Sequence, residues 1–126
     1  MAPGPPQRAR ILIVDDDLSV RQLLTAILDD AGYSTAQAEN GRDAISQIQN
    51  ASFDLIITDL VMPEQEGIET IKLLRRDFPQ IKVIAMSGAF GGDYLRIAGY
   101  LGAHNTLQKP VSVEALLQAV EDALAA

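Results

Sequence analysis

The 126-residue chain contains no cysteine. This excludes disulfides, a thiolate nucleophile and any zinc–thiolate cluster, and it suits a reducing, cytoplasmic location. No apolar stretch is long enough to span a bilayer, so no membrane association is expected. The opening segment, Met1-Ala2-Pro3-Gly4-Pro5-Pro6-Gln7-Arg8-Ala9-Arg10, lacks the apolar middle of a secretory signal. It reads as a proline-stiffened, flexible lead-in over residues 1–9. No basic face is visible: 10 Lys and Arg stand against 17 Asp and Glu, a net charge of −7. Direct nucleic-acid binding by bulk electrostatics is therefore not expected, whereas recruitment of cations or basic partners is. Internal repeats and low-complexity stretches are absent too. The single histidine, His104, precedes a short strand, where a surface position is expected and a phosphodonor role is not. What remains is a chain that is 48% apolar, enough for one domain with a core over residues 10–126.

Short apolar runs alternate with helix-period stretches. Ile11–Val14, Phe53–Thr58 and Ile81–Met86 are continuous enough to be strands buried on both faces. Tyr33–Ala38 and Thr106–Gln108 are weaker strands. Between them, Val20, Leu23, Leu24, Ile27, Leu28 and Ala31 form one face of a first helix, which Gly32 stops. Asn40 caps a second helix carrying Ala44, Ile45 and Ile48. A third carries Ile68, Ile71 and Leu74 and ends before Pro79. After the glycine-rich loop Ser87–Gly92, a fourth spans about Asp93 to Leu101 and closes at Gly102. Ser112 caps the fifth, with Val113, Leu116, Leu117, Val120 and Leu124 as its buried stripe. Strict alternation of five strands and five helices predicts an α/β, doubly wound parallel sheet with helices on both faces and right-handed crossovers.

In such a sheet, ligands bind beyond the C-terminal strand ends, where strand order reverses. Those ends carry Asp15, Asp16 and Asp17, then Asp59, Ser87 and Lys109. Crowded carboxylates repel unless some protonate or a cation joins them. All-oxygen donors with neither His nor Cys favour a hard ion, Mg²⁺ or Mn²⁺. Asp15–Asp17 also have a plainer use as a helix cap, most naturally at Asp17. With a metal neutralising phosphoryl oxygens, Asp59 becomes a competent nucleophile toward phosphorus. Lys109 would add a mobile positive charge, and Ser87 a hydroxyl donor. Taken singly, Ser87 and the Lys109-Pro110 pair also fit ordinary turns.

These residues resemble the receiver domain of two-component response regulators, over about residues 10–125. The motifs are Val14-Asp15-Asp16-Asp17, Thr58-Asp59-Leu60-Val61-Met62-Pro63, Gly67, Met86-Ser87-Gly88, Gly102-Ala103 and Gln108-Lys109-Pro110. The resemblance implies a flavodoxin-like sheet of order 2-1-3-4-5. It implies that Asp59 is the phosphoacceptor, served by a histidine kinase or histidine phosphotransfer protein. Asp15, Asp16, Asp59 and the Val61 backbone carbonyl would hold Mg²⁺. Ser87 would be the switch hydroxyl and Lys109 the phosphoryl contact, with a cis bond before Pro110. Phosphorylation would reshape the face around the fourth helix, fifth strand and fifth helix, where an unknown downstream protein docks.

The chain departs from the family pattern at Thr106, three residues before Lys109, where the family often carries Tyr or Phe. An aromatic rotation cannot report the switch there; Phe90 and Tyr94 lie nearby in sequence. Small or apolar residues at Val61 and Ala89 cannot orient a hydrolytic water, so fast phosphate loss is not expected. The reading is of a signalling domain that catalyses only its own phosphorylation and dephosphorylation. It is a monomer or weak dimer, either stand-alone or the receiver of a longer regulator. A phosphorylation-independent binding module is the alternative. An aspartate-dependent phosphatase would need an acid two residues after its nucleophile, and Val61 occupies that position.

Overall fold

Ile11, Leu12, Ile13 and Val14 are all completely buried, which requires cover on both faces of their strand. The computed structural model describes residues 8–60, 66–88 and 91–126; of Glu66 and residues 91–95 it describes only the backbone course. In chain order the elements are β1 (Arg10–Val14), α1 (Leu18–Asp30), β2 (Ser34–Ala38), α2 (Gly41–Asn50), β3 (Leu55–Asp59), α3 (Glu66–Asp77), β4 (Lys82–Ser87), α4 (Gly91–Tyr100), β5 (Asn105–Gln108) and α5 (Val113–Ala125). All strand pairs are parallel, in the order β2-β1-β3-β4-β5. This is the doubly wound arrangement expected from the alternating pattern and the resemblance.

Successive side chains on a strand point to opposite faces. Ile11, Ile13, Leu55, Ile57, Ile84 and Met86 accordingly pack with Leu24 and Leu28 of α1 and Leu116 and Val120 of α5. Leu12, Val14, Ile56, Val83 and Ala85 face the other way, onto Ala44 and Ile48 of α2, Ile71 and Leu74 of α3 and Ala98 of α4. The edge strand β2 is only partly buried along most of its length, in keeping with its weaker pattern. Asp17, Asn40 and Ser112 each cap a helix by accepting a backbone N–H, from Ser19, Asp43 and Ala115 respectively. Gly32 and Gly102 follow α1 and α4 at φ +93° and +103°, the left-handed conformation that favours glycine.

Five expectations are corrected, the last at His104. Leu23 is 54% exposed, because it lies about 100° around the helix from the buried Leu24, and both cannot face the sheet. Val113 is 48% exposed at the first position of α5, while the small residues Ala119 and Ala123 complete that helix's buried stripe. The helical backbone of α4 begins at Gly91, so two residues assigned to the glycine-rich loop belong to the helix. Docking of that helix onto β4 and β5 outweighs the roughly 0.5–1 kcal/mol that glycine costs there relative to alanine. Arg8 and Ala9, placed in the lead-in, are packed: Ser34 donates to the Ala9 carbonyl, and the Arg8 guanidinium lies over the Tyr33 ring at 5.2 Å.

His104 is not a plain surface residue either. Its backbone N–H donates to the Val83 carbonyl at 2.7 Å, and its Nδ1 accepts the Val83 N–H at 3.0 Å. One residue thus satisfies both backbone groups of Val83, just before regular β4–β5 pairing begins at Ile84 and Asn105. Burial, then the charges of Arg75 and Lys82, hold the imidazole below the ordinary histidine value of 6.5. A proton on Nδ1 would set a donor against a donor. The folded state therefore binds fewer protons than the unfolded chain, and this contribution to stability is present above the unfolded value and lost as pH falls through the folded one. We expect the melting temperature to fall between about pH 7 and about pH 5. His104→Asn keeps an acceptor at the same depth without titrating and should flatten part of that fall. Identical acid limbs for the two proteins would refute the role.

Candidate functional site

The site forms where β1, β3, β4 and β5 end. Beyond β1 the Asp15 N–H donates to the Ala38 carbonyl at 3.2 Å, the last sheet-type bond before the chain turns into α1. Asp59 ends β3 opposite Met86, and the next bond, Leu60 N–H to the Met86 carbonyl, holds the two strand ends together at 2.9 Å. Ser87 ends β4, and its carbonyl accepts the Lys109 N–H at 2.7 Å. Two acids, a hydroxyl and an ammonium far apart in sequence are thus tied to one edge by backbone bonds, with Asp16 next to Asp15.

The side chains meet there as well. Lys109 Nζ donates to Asp15 Oδ2 at 2.8 Å and to Asp59 Oδ2 at 3.1 Å, bridging two carboxylates that are almost wholly removed from solvent. Burial alone would lower the pKa of the Lys109 ammonium; its bonds to Asp15 and Asp59 and their charges outweigh that and hold it above the ordinary lysine value. Asp15 Oδ1 accepts the Asp17 N–H at 2.9 Å, which fixes the second oxygen of the same carboxylate. Asp16 is exposed, yet one oxygen from each of Asp15, Asp16 and Asp59 lies within 4.8 Å of the others. Three hard oxygen donors at that spacing, one end open to solvent, fit a divalent cation of the magnesium type.

Ser87 completes the picture. It is fully buried and its Oγ has no hydrogen-bond partner among the described residues. Buried hydroxyls are normally bonded, so one with no partner among the described residues is placed to donate to a further acceptor at this strand end. The Lys109–Pro110 peptide is cis, as the resemblance implies. Thr106 sits in β5 opposite Ala85, partly buried, and its N–H donates to Asn105 Oδ1. The Val61 carbonyl, Ala89, Phe90 and the Tyr94 side chain lie outside the described residues.

Two contributors were missed from sequence. Gly67, noted only as a motif position, lies so close to the end of β3 that a Cβ there would meet the Asp59 carbonyl oxygen and come within 2.6 Å of Leu60 Cα. Arg21 donates from Nη1 to the Asp15 carbonyl at 2.6 Å and from Nε to Gln37 Oε1 at 3.2 Å. A cation one turn into α1, on the helix that follows the acids, was the available signal.

The architecture is thus a doubly wound α/β domain with an acidic, lysine-bridged pocket at its C-terminal sheet edge. A family model, response regulator receiver domain, matches residues 11–121, and the chain belongs to that family of two-component signalling domains. Among curated relatives, Transcriptional regulatory protein ZraR of Klebsiella oxytoca is 36% identical over 119 residues, 94% of this chain but 27% of that protein. Sporulation initiation phosphotransferase F of Bacillus subtilis is 33% identical over 112 residues, 89% of this chain and 90% of that protein. Among solved structures, the chemotaxis response regulator CheY4 of Vibrio cholerae aligns with a TM-score of 0.81 at 33% identity, covering 90% of this chain and 96% of that one. NtrX of Brucella abortus aligns at 0.89 and 27% identity, covering 93% of this chain and 27% of that one. The chain therefore spans about a quarter of the length of some relatives and nearly all of others. Among the described residues no helix is long and apolar enough to cross a membrane.

Proposed function

We propose that this receiver domain accepts a phosphoryl group on Asp59 from the phosphohistidine of a histidine kinase or phosphotransfer protein, and that the product switches a protein-contact surface. The observation that carries the reading is the buried Ser87 hydroxyl, without a partner among the described residues, at the edge where Lys109 bridges Asp15 and Asp59. Mg²⁺ (or Mn²⁺), held by Asp15, Asp16 and Asp59 with the Val61 carbonyl, would neutralise phosphoryl oxygens. An Asp59 carboxylate oxygen attacks phosphorus, the phosphorus–nitrogen bond breaks, and the released imidazole nitrogen takes up a proton. Lys109 follows the charge from carboxylate to phosphoryl oxygen, and Ser87 donates to another phosphoryl oxygen. The carboxylate's single charge gives way to an acyl phosphate of about −1.5 to −2, a net gain of at most about one unit, with three new acceptor oxygens for Ser87 and Lys109.

The output face we assign to α4, β5 and α5. Ile97 and Tyr100 of α4 are 42% and 84% exposed, apolar surface suited to a downstream protein. With Thr106 in β5, the movement of the Ser87 loop is the route by which that face would respond. The net charge of −7 speaks against direct nucleic-acid contact by this domain, and a cytoplasmic location suits a phosphorylation partner of a kinase. DNA control, if exercised, belongs to a partner or to a further domain of a longer regulator.

The test is incubation with a small acyl phosphate or phosphoramidate and Mg²⁺, read by intact mass. We expect one phosphoryl group per chain, labile to base and absent in EDTA. No adduct with Mg²⁺ or Mn²⁺ would overturn the proposal in favour of a phosphorylation-independent module.

A further inference from the structure

We propose that Arg21 is a positioning residue of the acidic pocket: it holds the peptide plane between Asp15 and Asp16 and thereby sets Asp16 for a divalent cation. The inference rests on the metal reading above. Asp15 is held from several directions, by the sheet bond from its N–H, by the Asp17 N–H and by Lys109. Asp16 is exposed, and burial does nothing to place it. Its position depends on the peptide that joins it to Asp15, and the carbonyl of that peptide lies past the end of β1, where among the described residues no backbone N–H takes it. Arg21 Nη1 takes it, at 2.6 Å, a short charge-assisted bond.

The guanidinium is itself aimed. Its Nε donates to Gln37 Oε1 at 3.2 Å, and the Gln37 main-chain carbonyl accepts Gln47 Nε2 of α2 at 2.7 Å. Two donors of one rigid fork thus lock the Asp15 carbonyl to the C-terminal end of β2. Lysine, with a flexible stem and a point charge, cannot reproduce both bonds.

Position and charge predict opposite signs, which makes the idea decidable. As a charge alone, a guanidinium beside three carboxylates repels a metal ion, so its removal would tighten binding. As a positioning group, its removal lets the Asp15–Asp16 peptide turn and weakens binding. Mn²⁺ binding to the full chain, followed by the paramagnetic resonance signal of the unbound ion, separates them. We expect Arg21→Gln to raise the Kd on the order of tenfold, as loss of outer-shell support typically does, with Arg21→Lys in between. Should Arg21→Gln fail to fold, Gln37→Ala, which loosens the far end of the fork and removes no metal carboxylate, should raise the Kd a few-fold. Unchanged or tighter Mn²⁺ binding in the folded variant, whatever its melting temperature in EDTA, would sink the Arg21 assignment alone. A wild-type chain that binds no Mn²⁺ would sink the metal reading and this inference together.

Discussion

Asp59→Asn should give no phosphoryl adduct under conditions that label the wild-type chain completely, while leaving the fold intact. The first half follows from chemistry: an amide oxygen is a far poorer nucleophile toward phosphorus than a carboxylate, and none of the other site carboxylates sits at Asp59's strand end. The second half follows from electrostatic balance. Asp59 attracts Lys109 across 3.1 Å and repels Asp15, with carboxylate oxygens of the two within 4.8 Å. At an effective dielectric of about 20, unit charges interact by roughly 5 kcal/mol at about 3 Å and roughly 3 kcal/mol at about 5 Å, and the exposed Asp16 adds to the repulsion from Asp15. Losing the Asp59 charge therefore removes an attraction and a repulsion of similar size, and Lys109 keeps Asp15. We expect stability in EDTA to change by about 1 kcal/mol or less. Mg²⁺ should separate the two proteins again. At a concentration roughly 100 times its Kd, a ligand confined to the folded state adds about 2.7 kcal/mol, and the variant should lose most of that. Full labelling of Asp59→Asn would mean that the phosphoacceptor has been misassigned.

Much of this molecule was legible in its sequence because two signals coincide. A continuous apolar run needs cover on both faces, so Ile11–Val14, Phe53–Thr58 and Ile81–Met86 read as interior strands. The same runs end abruptly in Asp15, Asp59 and Ser87, and strand ends are where an open parallel sheet places its chemistry. What was not legible depends on distance in space. The stripe of α1 was read too wide because Leu23 and Leu24 are equally apolar, and only the flat sheet beneath decides between them. Ala119 and Ala123 were passed over for the opposite reason, being small where a helix comes close to the sheet. The His104 ring accepts a hydrogen bond from a strand residue 21 positions away. Arg21 lies six residues from Asp15 in sequence, but its second anchor, Gln37, becomes a neighbour only when β2 pairs with β1.

Gly67→Ala should destabilise the domain by about 3 kcal/mol and slow phosphorylation as well, although helix propensity alone predicts the reverse. In a helix interior alanine is favoured over glycine by about 1 kcal/mol. Gly67 is the second residue of α3, and that turn lies directly on the end of β3. A Cβ would meet the Asp59 carbonyl oxygen and stand 2.6 Å from Leu60 Cα and 2.8 Å from the Leu60 oxygen. All of these are backbone atoms, so no side-chain rotation relieves the contact. Either α3 lifts off Leu12, Ile56 and their neighbours, or the end of β3 shifts. Overpacking of this kind costs about 1–3 kcal/mol, occasionally more, and the rigid opponent here places it at the upper end. Against a typical domain stability of about 5–15 kcal/mol, the melting temperature should drop by roughly 10 °C. Gly99 of α4 supplies the control, because a Cβ built there meets nothing within 4 Å. Gly99→Ala should raise stability by about 0.5–1 kcal/mol through propensity and unfolded-chain entropy. If both variants were stabilised, the close approach at Gly67 would be wrong. If Gly67→Ala lowered stability but left the labelling rate of Asp59 untouched, α3 would be yielding rather than β3, and the phosphoacceptor would be insulated from the helix that leans on it.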